Sequence, residues 1–254
     1  MPATSKKRQA TEQDSDTPAA KRTSARYVDL ITILAGADKS PFVVHKYALC
    51  NKSKFFAAAC KREWKEGVEK TICVPSITPE IFELYVHWVY SGKIDLSLLP
   101  LVSPRAGNSR SDDVEGGAQD VQYLIELYVA GYTFMDEPVQ NKVIDRLAAK
   151  MECWLEGGGM CIQPGHIEYL WSRTSPDSAI RDLFLDSIAS TMVKDQLQPF
   201  RAMKGAQDFW YSLAEHQLER GDLCVEDFAP TWERRCVYHV HRSDEERRAC
   251  EQRD

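Results

Sequence analysis

The sequence contains no apolar run approaching the roughly 18 to 20 residues needed to cross a bilayer. Its opening stretch, MPATSKKRQATEQDSD, has none of the apolar core that a secretory signal carries. No membrane contact is expected, and the protein is expected to be intracellular, in the nucleus or the cytoplasm. Excess positive charge is also missing: 32 Lys and Arg stand against 38 Asp and Glu, for a net charge of −6. Such a balance gives no chain-wide attraction to nucleic acid. With neither a C2H2 finger nor a basic helix in the sequence, no direct nucleic-acid partner is expected. Gly-rich phosphate loops, a G-x-S-x-G elbow and an H-E-x-x-H pair are all absent. These absences weigh against catalysis: no catalytic residues and no small-molecule substrate are expected, with a thiol or metal-dependent enzyme as a remote alternative. Eight cysteines in 254 residues are too few for a disulfide scaffold. Most of them are expected to behave as small buried hydrophobes.

What is present is enough apolar material, 43% of residues against 28% charged, to bury a core in one or two domains. Residues 1–26 are polar and read as a disordered tail. They hold two basic clusters, Lys6-Lys7-Arg8 and Lys21-Arg22, whose separation fits either a bipartite nuclear-import signal or a solvated tail with incidental lysines. From Tyr27, YVDLITILAG and PFVVH flank the turn signal ADKS and predict a hairpin. KTICVP predicts a further strand, ended by Pro75. Between them SKFFAAACKREW predicts a helix with Ser53 as its N-cap.

Thr78 to Tyr90 carries the clearest helix signal: Thr78 at the N-cap, Pro79 in the first turn and Gly92 past the end. Ile81, Leu84, Tyr85, Trp88 and Val89 lie on one stripe of it. The Ser-, Gly- and Asp-rich stretch 97–119 predicts a long mobile loop. DVQYLIELYVAGYTF and EPVQNKVIDRLAAKMECWL then predict a helix pair. Beyond Gly157-Gly158-Gly159, helical patterns near 166–171, 178–193 and 199–218 predict an all-α region over 160–220, followed by a charged tail over 221–254.

PFVVHKYALCNKSKFF, residues 41–56, places His45 five positions before Cys50. A Cys–His nucleophile pair needs the two side chains to meet. In one helix a spacing of five points them about 140° apart, which favours a structural histidine and a packed thiol.

Together with VD at 28–29, SKFF at 53–56, WKEG at 64–67, ICVP at 72–75, PEIFELYVHWVYSG at 79–92 and LYVAGYTFMDEPVQNKVIDRL at 127–147, this stretch resembles the BTB/POZ domain. The resemblance runs from Val28 to about Leu155 and looks most like the fungal branch of the family. It implies an α/β (α+β) BTB/POZ fold over 27–155, a small mixed sheet flanked by α-helical hairpins, followed by an all-α C-terminal extension. It also implies a protein-interaction adaptor or scaffold without catalytic machinery. By resemblance, Asp29, His45 and Lys46 form a charged central pocket; a buried or half-buried Asp–Lys pair there contributes little net stability, while removing one partner would cost about 3 kcal/mol. Trp64 and Glu66 would form a hydrophobic-x-Glu motif for docking a cullin scaffold of a ubiquitin ligase. Many members homodimerise through an additional N-terminal helix. Residues 1–26 show no such amphipathic helix, so a monomer and a differently built homodimer both stand.

A last cluster lies near the end of the sequence: Cys236-Val-Tyr-His239-Val-His241, then Cys250. Cys-x2-His is a zinc-like spacing. His-x-His on an extended strand would point both rings to one face, and Cys250 would complete a tetrahedral N2S2 site for zinc. The competing reading is a solvated charged tail with no cofactor, since SDEERRACEQRD has little to bury.

Overall fold

The computed structural model describes residues 28–61, 69–99, 110–157, 162–191, 198–203, 206–220 and 232–252. Strands β1 (Leu30–Ala35) and β2 (Ser40–His45) form the expected antiparallel hairpin, paired from Leu30 with His45 to Ala35 with Ser40. The turn needs a left-handed residue at Gly36, φ 74°. A Cβ there would also stand 3.0 Å from Cδ of Pro79, so glycine meets both a conformational and a packing demand.

β3 (Thr71–Val74) joins the other edge of β1 in parallel, giving a mixed sheet of order β2-β1-β3. Strand alternation sorts the residues. Ile31, Ile33, Ala35, Val44, Ile72 and Val74 are buried, while Leu30 and Val43 face outward and are exposed.

Helices α1 (Lys46–Lys52) and α2 (Lys54–Ala59) make the crossover between the hairpin and β3. Ser53 separates them, accepting from the Phe56 amide at 3.0 Å and donating to the Phe134 carbonyl at 2.6 Å. It is buried, so both bonds matter: each unmade one would leave a desolvated polar group. Helix α3 (Pro79–Ser91) has the predicted ends: the Thr78 hydroxyl accepts from Ile81 N, and Gly92 closes the helix at φ 68°. Its apolar stripe, joined by Phe82, is buried. Phe56, Phe82, Tyr85 and Phe134 meet there with ring centroids 4.8 to 6.5 Å apart, tilted and edge-on geometries that aromatic quadrupoles favour.

The mobile loop expected over 97–119 is corrected at both ends. Leu96–Leu98 is a 3₁₀ turn, and helix α4 (Arg110–Thr133) begins ten residues earlier than the apolar periodicity indicates. Gly116 and Gly117 fall within its first turns, and their poor helix propensity is what made the segment read as loop. Helix α5 (Glu137–Gly157) follows after a three-residue connection and packs on α4. The all-α extension is present as α6 (Pro164–Arg173), α7 (Ala179–Thr191) and α8 (Gln207–Arg220), with a 3₁₀ turn at Pro199–Ala202 taking the start of the third predicted helix.

The described part of the tail is ordered rather than a solvated strand of charge. It forms a 3₁₀ segment, Trp232–Tyr238, and helix α9 (Asp244–Glu251), so His239 and His241 lie in the irregular link between two helical turns and not on a strand. Tyr238 and Cys236 supply the burial that the charged sequence concealed. One contiguous core runs from Ile31 of β1 through Tyr238. Among the described residues, no helix is long and apolar enough to cross a membrane.

Candidate functional site

The sheet-to-helix junction gathers the three residues expected in a charged pocket, but not inside the protein. The Asp29 carboxylate accepts from Lys70 Nζ at 2.7 Å and stands 4.0 Å from Lys46 Nζ, with its side chain 43% exposed. The expected buried or half-buried pair is a half-exposed carboxylate between two lysines. Asp29 precedes the first residue of β1, at the sheet's rim beside the start of α1. Ion pairs in such surroundings contribute about 0 to 1 kcal/mol, against the several expected of a buried pair. The backbone does more: Lys46 N donates to the Asp29 carbonyl at 2.9 Å, closing the hairpin's open end.

His45 turns to α3, with Nδ1 2.7 Å from the Tyr90 hydroxyl and its backbone amide 3.0 Å from the same oxygen. Its company is thus Tyr90 and not Cys50. The Cys50 thiol donates to the Phe56 carbonyl at 3.5 Å. Its hydrogen bond with Cys60, followed by burial, pushes it well above the ordinary thiol range, which is the opposite of an activated nucleophile. Trp64 and Glu66 lie outside the described residues.

The buried carboxylate that sequence reasoning missed is Asp136. It accepts from Tyr85 Oη at 3.1 Å, Trp88 Nε1 at 3.2 Å and Val139 N at 3.2 Å, and is wholly buried. Burial raises its pKa even against these three donors. The signal was local: Asp-Glu-Pro at the start of a periodic segment is a helix N-terminus, with Asp136 as the cap.

The C-terminal cluster converges. One sulfur–nitrogen contact joins Cys236 Sγ and His241 Nε2 at 3.4 Å, and another joins Cys250 Sγ and His239 Nδ1 at 3.2 Å. Ligand atoms of Cys236, His241 and Cys250 all lie within 4.8 Å of one another. His239 approaches that trio from the Cys250 side, and its other nitrogen, Nε2, sits 2.9 Å from the Asp145 carboxylate. Nδ1 of His241 is buried without a hydrogen-bond partner, leaving Nε2 as its nitrogen turned to the cluster. Burial, then the neighbouring charges of His239 and Arg247, lowers the His241 pKa.

Helix α5 holds the whole segment by residues four apart, and therefore on one face. Glu137 accepts from Arg242 at 2.6 Å, Asn141 pairs with the backbone of Val240, and Asp145 meets His239. Burial would raise the Asp145 pKa, but the His239 hydrogen bond and charge outweigh it and hold the carboxyl below its usual range. Glu137 behaves likewise, burial being overcome by bonds from Arg242 and Lys54. From α7, Asp186 accepts from the Tyr238 hydroxyl and meets His216 Nε2 at 2.7 Å. This second buried node was also not anticipated.

No curated protein matches the chain. A family model does match, over a range covering the sheet and helices α1 to α3, and it does not distinguish a fungal branch. Residues 20–104 match the model of the BTB/POZ domain, a protein-interaction module, and that range takes in the sheet-bearing part of the fold.

Proposed function

We propose that the chain is a non-enzymatic adaptor whose BTB/POZ domain docks a cullin scaffold of a ubiquitin ligase, while the helical C-terminal region presents a second protein. The observation that carries the reading is the BTB/POZ match at residues 20–104. Trp64-Lys65-Glu66, between α2 and β3 in the sequence, supplies the short aromatic-x-acidic motif that such docking uses; one aromatic anchor of this kind commonly dominates an interface. Self-association stands open beside it, a monomer and a homodimer both fitting this reading.

Co-purification with the tagged full-length chain tests this. Wild type should recover a cullin, and Trp64→Ala/Glu66→Ala should lose it. Equal recovery by the double variant would remove the motif, and no cullin with either would remove the adaptor reading.

A nuclear scaffold is the second reading, favoured by the clusters Lys6-Lys7-Arg8 and Lys21-Arg22. It requires nuclear accumulation of the tagged chain that is lost when Lys6, Lys7 and Arg8 are changed to Ala; purely cytoplasmic wild type contradicts it.

A further inference from the structure

We propose that Cys236, His239, His241 and Cys250 form a closed Cys2His2 zinc site that latches the C-terminal segment onto α5 and α7. The inference is independent of the partner assigned to the BTB/POZ domain.

Three observations bear on it. The first is distance. Zinc bonded to thiolate at about 2.3 Å and to imidazole at about 2.0 Å in a tetrahedron fixes sulfur–nitrogen edges near ~3.5 Å. The two sulfur–nitrogen contacts of the cluster are 3.4 and 3.2 Å. These two edges stand about as far apart as a bound ion would hold them, and the ligand atoms of Cys236, His241 and Cys250 lie within 4.8 Å of one another, with His239 joining that trio through its contact with Cys250.

The second is orientation. A ligating histidine ordinarily hands its other nitrogen to a carboxylate or carbonyl, which fixes the tautomer and raises the basicity of the coordinating atom. His239 is placed to do this: Nε2 sits 2.9 Å from the Asp145 carboxylate and Nδ1 faces Cys250, so a proton held on Nε2 by Asp145 would leave Nδ1 to coordinate. Asp145 is a positioning residue. Its own place is set by α5, ninety-four residues earlier in the chain, which makes a chance pairing of tail and helix a poor explanation.

The third is ligand chemistry. Two sulfurs and two imidazoles in a tetrahedron select zinc over oxygen-seeking cations. Cys236, His241 and Cys250 alone would leave an open coordination position of the kind a catalytic site keeps. His239, whose Nδ1 stands 3.2 Å from Cys250 Sγ, is the residue placed to close on that position, which would make the site structural. Binding converts both thiols to thiolates and releases their protons to solvent, while the imidazoles stay neutral. The Cys236 thiol also donates to the Arg247 carbonyl at 3.7 Å. The segment on either side remains tied to α5 by Asn141 and Glu137.

The test uses the full-length chain, purified under reductant and without chelator, with zinc measured by elemental analysis. Wild type should carry about one zinc per chain, and Cys236→Ser or Cys250→Ser less than about a tenth of that. Cobalt(II) titrated into zinc-stripped wild type should give tetrahedral-intensity ligand-field bands with a thiolate-to-metal charge-transfer band, and this readout does not depend on any variant folding. Asp145→Asn should keep the stoichiometry while weakening zinc affinity about 10- to 100-fold in competition with a chromophoric chelator, with Asp145→Glu recovering part of the loss. His239→Ala should leave a three-ligand site whose cobalt spectrum changes on adding imidazole. Folded wild type with no stoichiometric zinc and no cobalt charge-transfer band would overturn the proposal, as would thiol counting that finds Cys236 and Cys250 joined in a disulfide.

Discussion

Asn141 and Val240 form a reciprocal pair across ninety-nine positions: the Asn141 amide donates to the Val240 carbonyl at 2.9 Å and accepts from the Val240 amide at 2.7 Å. One side chain thus satisfies both backbone groups of the residue between the two clustered histidines. Asn141→Ala would strand both groups in a half-buried setting, at a cost of about 1 to 2 kcal/mol. Hydrogen exchange at residues 239–241 should accelerate in that variant while the β1–β3 amides keep their protection. Unchanged exchange at Val240 would show that α5 does not hold the segment.

Gly131 lies where α4 meets α5, and a Cβ there would stand 2.5 Å from Cγ1 of Val139. Both neighbours are helical and packed, so Gly131→Ala should destabilise the fold by about 1 to 3 kcal/mol. Adding Val139→Ala to it should return part of that loss in denaturant titration, because the clash and its relief involve the same pair.

Asp136 should be the costliest single polar truncation in the core. Asp136→Ala leaves the Tyr85 hydroxyl and the Trp88 indole buried with no acceptor, worth about 3 kcal/mol together. Asp136→Asn keeps one acceptor oxygen and should cost less. Chemical denaturation that gives the reverse order would contradict the network.

His166 sets a pH dependence. Burial lowers its pKa from the ordinary 6.5 to about 4. Folded protein therefore binds fewer protons than unfolded protein between those values, and stability falls as pH drops from 6.5 toward 4. The full effect is about 3 kcal/mol. His166→Gln should flatten the stability profile in that window relative to wild type; parallel profiles would contradict the assignment.

The features legible in the sequence were the local ones. Thr78, Pro79 and Gly92 announce a helix because caps act within one turn, and ADKS announces a hairpin because its strands are adjacent. The BTB/POZ resemblance was legible for the same reason, as a series of short local motifs. The parallel partnership of β1 with β3, by contrast, is closed by a crossover that no local pattern specifies. Asp29 looked like a pocket residue because its sequence position does not reveal that it falls just outside the sheet.

In the tail, the spacing of Cys236, His239, His241 and Cys250 singled out residues that the structure draws near one another. The carboxylate that orients His239 came from a helix the motif could not name. The order of α9 was in fact written in Ser243 and Glu246: the serine accepts from Glu246 N at 3.2 Å, and the glutamate reaches back to Arg242 N at 2.8 Å. This near-capping box was obscured by the charge around it.

Calorimetric titration of the purified full-length chain into the purified N-terminal region of a cullin bears most directly on the adaptor reading. The account predicts saturable binding at one site per chain, weakened at least about tenfold by Trp64→Ala/Glu66→Ala, as loss of an aromatic anchor implies. Absence of binding by wild type, or equal affinity of the double variant, would contradict it.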